Sequence, residues 1–445
     1  MNNPVPGARK MNFPYSIYRC LTTGLYYSFS PAYRLFQKVR KESHPDMDQR
    51  LGDYSKLLLQ KKPRQPVIWI HAASVGEVHA ATGIIEKLLA IIPDCTIIFS
   101  TTTKHGQSSA IQLLGKQVHC VYAPLDFIAS VRKALRFFTP VILVCIETEI
   151  WPNWLYEAHR MGIKTAIING RISARSIKNY IKLKSLFKNI LQHVEAFSMI
   201  QKEDAERIKL LGAPSERIQI NGNSKYDQLA QPTIADFHKK KMGSIFKLSA
   251  QDKIFVAGST RKNEEEIILD AYEGVCQFFP DTKLILAPRH IERTPNIEKL
   301  MHRRGMDYQL RTTIAADQML PRILILDTIG ELQSAYCIAS VAFCGGSLVP
   351  LGGHNILEAA AVGTPVFYGP YMDDFSDARE LLETQGGGGV VGNAKELTEK
   401  ILDLFQNPEK AADMGKRAIH AVSSNQGASE RHALVIKNIL NKQSA

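Results

Sequence analysis

This chain of 445 residues is short of acid: 43 Asp and Glu stand against 55 Lys and Arg, a net charge of +12. Such a deficit points to an anionic partner or surface, with nucleic acid, phospholipid headgroups and phosphorylated glycolipids as candidates. Nucleic acid lacks support, because zinc-finger spacing, RNP-like aromatic motifs and basic heptads are all missing. Cysteine is scarce and unpatterned. The seven residues at 20, 95, 120, 145, 276, 337 and 344 are odd in number and include no CxxC pair. Several sit in apolar runs such as VILVCIE, so they read as reduced core residues, not as disulfides or zinc ligands. No stretch reaches the roughly 20 apolar residues of a clean membrane span. A small-residue cleavage site is also absent, which speaks against a removable signal peptide. GxxxxGK[ST] spacing is missing, so a phosphate-binding P-loop has no support.

What is present is globular: 45% hydrophobic and 22% charged residues, enough for a core in each of two or three domains. Residues 11–36 are rich in aromatics, interrupted by Pro14, Arg19 and Pro31, and followed by Gln37-Lys38-Val39-Arg40-Lys41. Aromatics beside a basic cluster suit a helix in the headgroup region or a short anchor. The plainer alternative is an amphipathic helix packed on the protein. The aromatics run almost all round, which favours membrane contact over a single packed stripe.

From residue 66 onward, β-branched runs alternate with helical stretches. Strands are predicted at 66–71, 95–101, 118–123, 141–147 and 164–170, with helices between, such as 76–89 and 128–138. The rhythm restarts at 253–259, 283–289, 322–327, 341–346 and 364–369. A composition shift at 225–250 marks a linker, and Gly386 to Gly389 reads as a mobile turn before a strand at Val390-Val391. The expected architecture is α/β, two halves with parallel sheets that bind ligand in the cleft between them. The expected divisions are residues 1–40 as the membrane-associated segment, 41–228 as the first domain and 229–445 as the second.

Chemistry-bearing residues gather at predicted strand ends. HAASVGEVHAA (71–81) puts small residues after a strand and Glu77 at a helix start. Partial burial there raises a carboxyl toward a useful general base; a glutamate in a first helical turn is equally an ordinary dipole partner. Glu147 and Glu149 in ETEIWPNW (147–154) share a side if the chain stays extended. NGRISARS supplies Arg171, and GNSKYD supplies Lys225, as holders of phosphate or carboxylate. The turn at Ser259 and Arg261, before Glu264-Glu265-Glu266, forms an expected anion site from backbone N–H groups. Pro288-Arg289-His290, Ile329-Gly330-Glu331 and Gly352-Gly353-His354-Asn355-Ile356-Leu357-Glu358 end or follow further strands. Together they suit a nucleotide, with Arg for phosphate and a carboxylate such as Glu358 for ribose hydroxyls. Asp46-Met47-Asp48 has DxD spacing but lies in a polar linker before the first strand, and no catalytic metal is expected.

In order, HAASVGEVHAA, ETEIWPNW, NGRISARS, GNSKYD, AGSTRKNEEE, APRHIER, DTIGEL and AFCGGSLVPLGGHNILEAA resemble the motifs of the 3-deoxy-D-manno-octulosonic acid (Kdo) transferases. The likeness runs over nearly the whole chain. It implies a GT-B glycosyltransferase fold, two Rossmann-like domains facing across a cleft. It implies CMP-Kdo as donor, a phosphorylated lipid A precursor as acceptor, and the cytoplasmic side of the cell inner membrane. No cofactor is implied. The family's proposed base falls on Glu77. Its CMP contacts fall on Pro288, Arg289, Ile329, Gly330, Glu331, Asn355, Ile356, Leu357 and Glu358. Arg171, Lys225, Ser259 and Arg261 remain candidates for the donor carboxylate or an acceptor phosphate. Two alternatives stay open: a GT-B enzyme using a UDP-sugar, and a non-catalytic membrane-bound nucleotide or glycan-binding module.

Overall fold

A computed structural model describes residues 13–442 apart from 41–44, 56, 58–63, 230, 231, 248, 250 and 316–318. Two compact units divide the chain: residues 1–227 with 426–445, and residues 228–425.

The first unit opens with α1 (Phe13–Arg40) and α2 (Pro45–Arg50) and then alternates strand and helix. Its strands are β1 (Val67–His71), β2 (Thr96–Thr101), β3 (His119–Tyr122), β4 (Ile142–Ile146), β5 (Lys164–Gly170), β6 (Ala196–Met199) and β7 (Ile218–Ile220). Between them run α3 (Val75–Ile91), α4 (Lys104–Leu114), α5 (Ile128–Phe138), α6 (Pro152–Arg160), α7 (Ala174–Lys182), α8 (Lys184–Leu191) and α9 (Lys202–Leu211). The sheet order is β3-β2-β1-β4-β5-β6-β7, with every pair parallel. All five residues of β1 are buried, as a strand covered on both faces requires. Strand alternation sends Val67 and Trp69 into one core layer and Ile68 and Ile70 into the other.

The second unit holds α10 (Pro232–Ile245), β8 (Ile254–Thr260), α11 (Glu264–Cys276), β9 (Lys283–Pro288), α12 (Thr294–Arg304), β10 (Tyr308–Leu310) and β11 (Ile323–Ile325). It continues with α13 (Leu332–Tyr336), β12 (Val341–Cys344), α14 (Leu357–Ala361), β13 (Val366–Tyr368), α15 (Ser376–Gln385), β14 (Gly388–Val390), α16 (Ala394–Gln406) and α17 (Pro408–Ser423). Its sheet, also parallel, has the order β10-β11-β9-β8-β12-β13-β14.

The chain then returns to the first unit as α18 (Ala428–Asn441), which packs on α3 and places Ala433, Val435, Ile436 and Ile439 in the core layer of Ile68 and Ile70. Residues 426–445 therefore cluster with the first half of the chain, where the sequence expectation keeps them with the second. Asp227 marks the crossing: its carboxylate accepts the backbone N–H of Gly427 at 2.6 Å and of Ser429 at 2.5 Å.

Four further expectations change. The segment read as a linker contains α10, held to α13 by a 2.6 Å bond between His238 Nδ1 and Ser334 Oγ. Gly386 caps α15 at φ 69° and Gly388 opens β14, so the glycine run is a helix end and an edge strand. A Cβ on Gly387 would sit 2.6 Å from the backbone of Ala418, which is why the run is side-chain-free there. Asp46 and Asp48 lie on α2, not in a loop. Finally, the aromatics of α1 serve two separate faces. Tyr15 and Tyr26 are buried, whereas Phe13, Tyr27 and Phe29 are exposed.

Candidate active site

In doubly wound sheets, ligands bind beyond the carboxyl ends of the strands at the point where the strand order reverses. In the first unit that point lies between β1 and β4. β1 delivers Ala72 to Glu77 there, and β4 delivers Glu147 to Glu149. Glu77 sits in the first turn of α3 and folds back over the strand end. Its carboxylate accepts the Ala73 backbone N–H at 2.6 Å and the Ser74 hydroxyl at 3.0 Å. Burial, then the charges of Glu149 and Glu147, push its pKa up to about 7. A Cβ on Gly76 would meet only Lys225 Nζ, at 4.0 Å, so packing does not demand that glycine.

Glu147 and Glu149 do not share a side of an extended chain. Glu147 adopts a left-handed φ of 56°, which turns the backbone at the strand end. The turn points its carboxylate to the Lys225 ammonium at 2.7 Å. Glu149 instead accepts the indole N–H of Trp151 at 2.6 Å and lies 3.4 Å from Nε2 of the fully buried His71. At that length the histidine contact is electrostatic more than a full hydrogen bond. Burial pushes the Glu149 carboxyl up, but His71 and Trp151 outweigh it and bring the net shift downward. One carboxylate thus stays ionised beside another that titrates near neutrality, a division of roles typical of acid–base sites. Sequence patterning placed Glu147 and Glu149 at a strand end but not among the site residues. His71 carries no signal of its own, since a histidine closing an apolar strand looks like core.

Lys225 reaches this cluster because Ser224 anchors its segment, donating to the Ala80 carbonyl at 2.8 Å while its N–H reaches Asn169 Oδ1 at 2.9 Å. Asn169, the penultimate residue of β5, has φ 52°. Arg171 follows, and its carbonyl accepts the Thr148 hydroxyl, joining the ends of β4 and β5.

In the second unit the reversal lies between β8 and β12. The expected backbone anion site at Ser259 and Arg261 is filled by the protein itself. The Glu264 carboxylate accepts the N–H groups of Arg261 at 2.8 Å, Gly346 at 2.7 Å, and Ser347 and Leu348 at 2.9 Å. Ser259, buried and at φ 55°, presents no exposed nest. A Cβ on Gly345 would fall 2.7 Å from the Ser259 carbonyl, so the two strand ends meet only because that residue is glycine. What remains for a ligand is the Arg261 side chain. It contacts His290 Nε2 at 2.6 Å and His354 Nε2 at 3.2 Å. A guanidinium only donates, so the Nε2 atoms of both imidazoles accept in these contacts. Burial, with Arg289 and Arg261 near, takes His354 down to about 4. Arg293 is already answered by a bidentate pair with Glu265, at 2.7 and 2.9 Å. Arg261 and the exposed Arg289 therefore form a cationic strand-end surface suited to an anion.

The other expected nucleotide contacts scatter along the same edge. Pro288 is buried at the end of β9, and the Arg289 N–H bonds the Thr260 carbonyl at 3.0 Å. Ile329 is 85% exposed beside Gly330 at φ 89°. Glu331 is paired with Arg311 at 3.0 Å. Asn355 donates to Glu358 at 3.2 Å, and burial pushes the Glu358 carboxyl up. Ile356 and Leu357 are core residues, so they offer a ligand only their backbone.

Fold and strand-end chemistry together define a GT-B glycosyltransferase. Solved structures of this fold include a UDP-GlcNAc 2-epimerase from Neisseria meningitidis (TM-score 0.58, 14% identity, 84% of this chain and 99% of that one). A glycosyltransferase from Rickettsia africae aligns similarly (TM-score 0.56, 15% identity, 85% and 98%). A sequence family described as 3-deoxy-D-manno-octulosonic-acid transferase matches residues 45–228. The 3-deoxy-D-manno-octulosonic acid transferase of Haemophilus influenzae is 33% identical over 377 residues, 84% of this chain and 87% of that protein. The enzyme of that name from Chlamydophila psittaci is 30% identical over 360 residues, 79% and 81%. This chain belongs to the Kdo transferase family, and it is an enzyme of that class.

Proposed function

We propose that the protein moves Kdo from CMP-Kdo to a lipid A precursor of the lipid IV-A type, with inversion, in lipopolysaccharide biosynthesis at the cytoplasmic side of the inner membrane. The observation that carries this reading is Glu77: a carboxyl raised to about 7 at the strand-order reversal, in a chain of this family. Ionised Glu77 takes the proton of an acceptor sugar hydroxyl as its oxygen attacks the anomeric carbon. The bond from that carbon to the CMP phosphate breaks, and the phosphate leaves with the electron pair. Arg289 and Arg261 are the cations that steady it in place of a metal. Asn355 and Glu358 are assigned to the nucleotide. Lys225 and Arg171 are assigned to the Kdo carboxylate or an acceptor phosphate. A bisphosphorylated acceptor accounts for the surplus of 12 positive charges.

The test combines purified protein, CMP-Kdo and the lipid A precursor, read by product mass and anomeric configuration. Glu77→Gln should reduce transfer by roughly 100-fold or more while CMP binding persists. Near-normal transfer by that variant removes Glu77 as the base. CMP should compete with the donor far better than UDP; the reverse order makes the enzyme a user of UDP-sugars.

A further inference from the structure

Arg261, Arg289 and Arg293 crowd the carboxyl edge of the second sheet, and each is held differently. Arg293 commits its charge to Glu265 in a bidentate pair at 2.7 and 2.9 Å. Arg289 is exposed, and its backbone N–H bonds the Thr260 carbonyl at 3.0 Å. Arg261 is half-buried, and among the described residues no carboxylate pairs with its guanidinium. Its Nε donates to Nε2 of His354 at 3.2 Å and its Nη1 to Nε2 of His290 at 2.6 Å. Arg289 and Arg293 both repel its charge. His290 is exposed, whereas His354 is half-buried.

Two segments must meet for the His354 contact to form, and one buried oxygen sets both. Oε2 of the fully buried Glu264 accepts the backbone N–H of Arg261 at 2.8 Å and that of Gly346 at 2.7 Å. The Gly346 carbonyl in turn accepts the N–H of Gly353, the residue before His354, at 2.8 Å. The imidazole then lies against Gly346, where a Cβ would fall 2.9 Å from its Cδ2 and 3.0 Å from its Nε2. On the other side the Gly352 carbonyl accepts the Asp374 N–H at 3.0 Å. A ring seated in this way has little freedom to swing off Arg261. Burial, then the charges of Arg289 and Arg261, hold the His354 pKa down at about 4, so at neutral pH its Nε2 keeps the lone pair.

We propose that His354 is a positioning residue: it aims the Arg261 guanidinium at the phosphate of the sugar-nucleotide donor and leaves the whole positive charge for that phosphate. The distinction is between orienting a cation and neutralising it. A carboxylate at this position would orient Arg261 as firmly, but would draw its charge into an ion pair, as Glu265 does with Arg293. An imidazole nitrogen fixes one edge of the guanidinium and leaves the Nη2 N–H groups without a partner among the described residues. A cation aimed beforehand needs no reorganisation as charge develops on the departing phosphate. The proposal rests on the donor reading above for the identity of the anion. It goes beyond that reading in giving Arg261 a partner that touches no reacting atom.

Calorimetric titration of the full chain with CMP and with cytidine separates the phosphate from the nucleoside. His354→Leu should lower CMP affinity roughly tenfold and leave cytidine affinity within about twofold. His354→Gln, whose amide oxygen is a neutral acceptor, should stay within about threefold of the parent for CMP. His354→Glu should lose at least as much as the leucine variant. Adding His354→Leu to Arg261→Gln should cost CMP binding nothing further, because the histidine acts through the arginine. Additive losses in that cycle, a cytidine affinity that falls with the CMP affinity, or a glutamate variant that binds CMP as well as the glutamine variant would each overturn the proposal. Should His354→Leu lose the native circular dichroism, the contrast of glutamine with glutamate decides alone. A parent that prefers UDP to CMP overturns the proposed donor instead, and the same cycle with UDP against uridine then tests His354.

Discussion

A carboxyl poised near pH 7 needs a reason, and for Glu77 the reasons are burial first and the Glu149 charge second. Glu147 adds less, with its charge met by Lys225. The rate of a reaction that needs ionised Glu77 should therefore climb through about pH 7. Glu149→Gln removes the negative charge with the larger effect while keeping the shape that His71 and Trp151 hold. The acid limb of kcat/KM should then move to lower pH by roughly half a unit or more. An unmoved limb would mean that Glu149 is structural only. The raised value also has a sign for stability. The folded chain holds this proton more tightly than the unfolded one. Its contribution is therefore whole below the ordinary 4.5 and fades as pH rises to about 7. Glu77 could be located from HAASVGE, since a strand end, small residues and a helix start fix its place. Its companions could not, because the turn at Glu147 depends on a left-handed backbone that no side-chain pattern reports. Nor could sequence show that Glu264 would consume the nest beside Arg261. That fate is decided by where β12 arrives, 82 residues later for the Gly346 N–H.

At the scale of elements, strands with an apolar β-branched or aromatic run were legible even when short, as β11 and β13 are, and four weaker ones were not, or only in part. β6 reads AFSM, β7 IQI, β10 YQL and β14 GGV. Runs of three or four residues with so little apolar excess become strands only through a neighbour's ladder. Helix α10 was hidden for a related reason: its opening proline and lysine run look like a linker until it packs on α13. Helix α1 owes its placement to a buried polar knot. Asp126 accepts the N–H groups of Asn153 at 3.0 Å and Trp154 at 2.9 Å, which open α6, together with the Tyr18 hydroxyl. Asp126→Asn would turn an amide donor toward those donors and should cost about 1–3 kcal/mol in urea unfolding. Tyr18→Phe removes one bond of the three and should cost about 1 kcal/mol. Equal losses would show that α1 contributes as much to the knot as α6.

The whole molecule is not two consecutive halves. The first unit is closed by residues from the far end of the sequence, and composition alone could not reveal this because α18 looks like any amphipathic helix. Ile436 is fully buried against the first sheet. Ile436→Ala should cost about 2–5 kcal/mol. All three tryptophans, at 69, 151 and 154, belong to the first unit, so urea unfolding followed by their fluorescence reads that loss where it occurs. An unchanged fluorescence midpoint would mean that α18 is dispensable there. The bonds from Asp227 to Gly427 and Ser429 give this topology a temporal meaning. During synthesis, the sheet containing Glu77 emerges first yet waits, missing one wall, while some two hundred residues of another domain are made. Until α18 has been made, Ala433, Val435, Ile436 and Ile439 are missing from the core layer of Ile68 and Ile70, so the sheet that carries Glu77 stays open on that side.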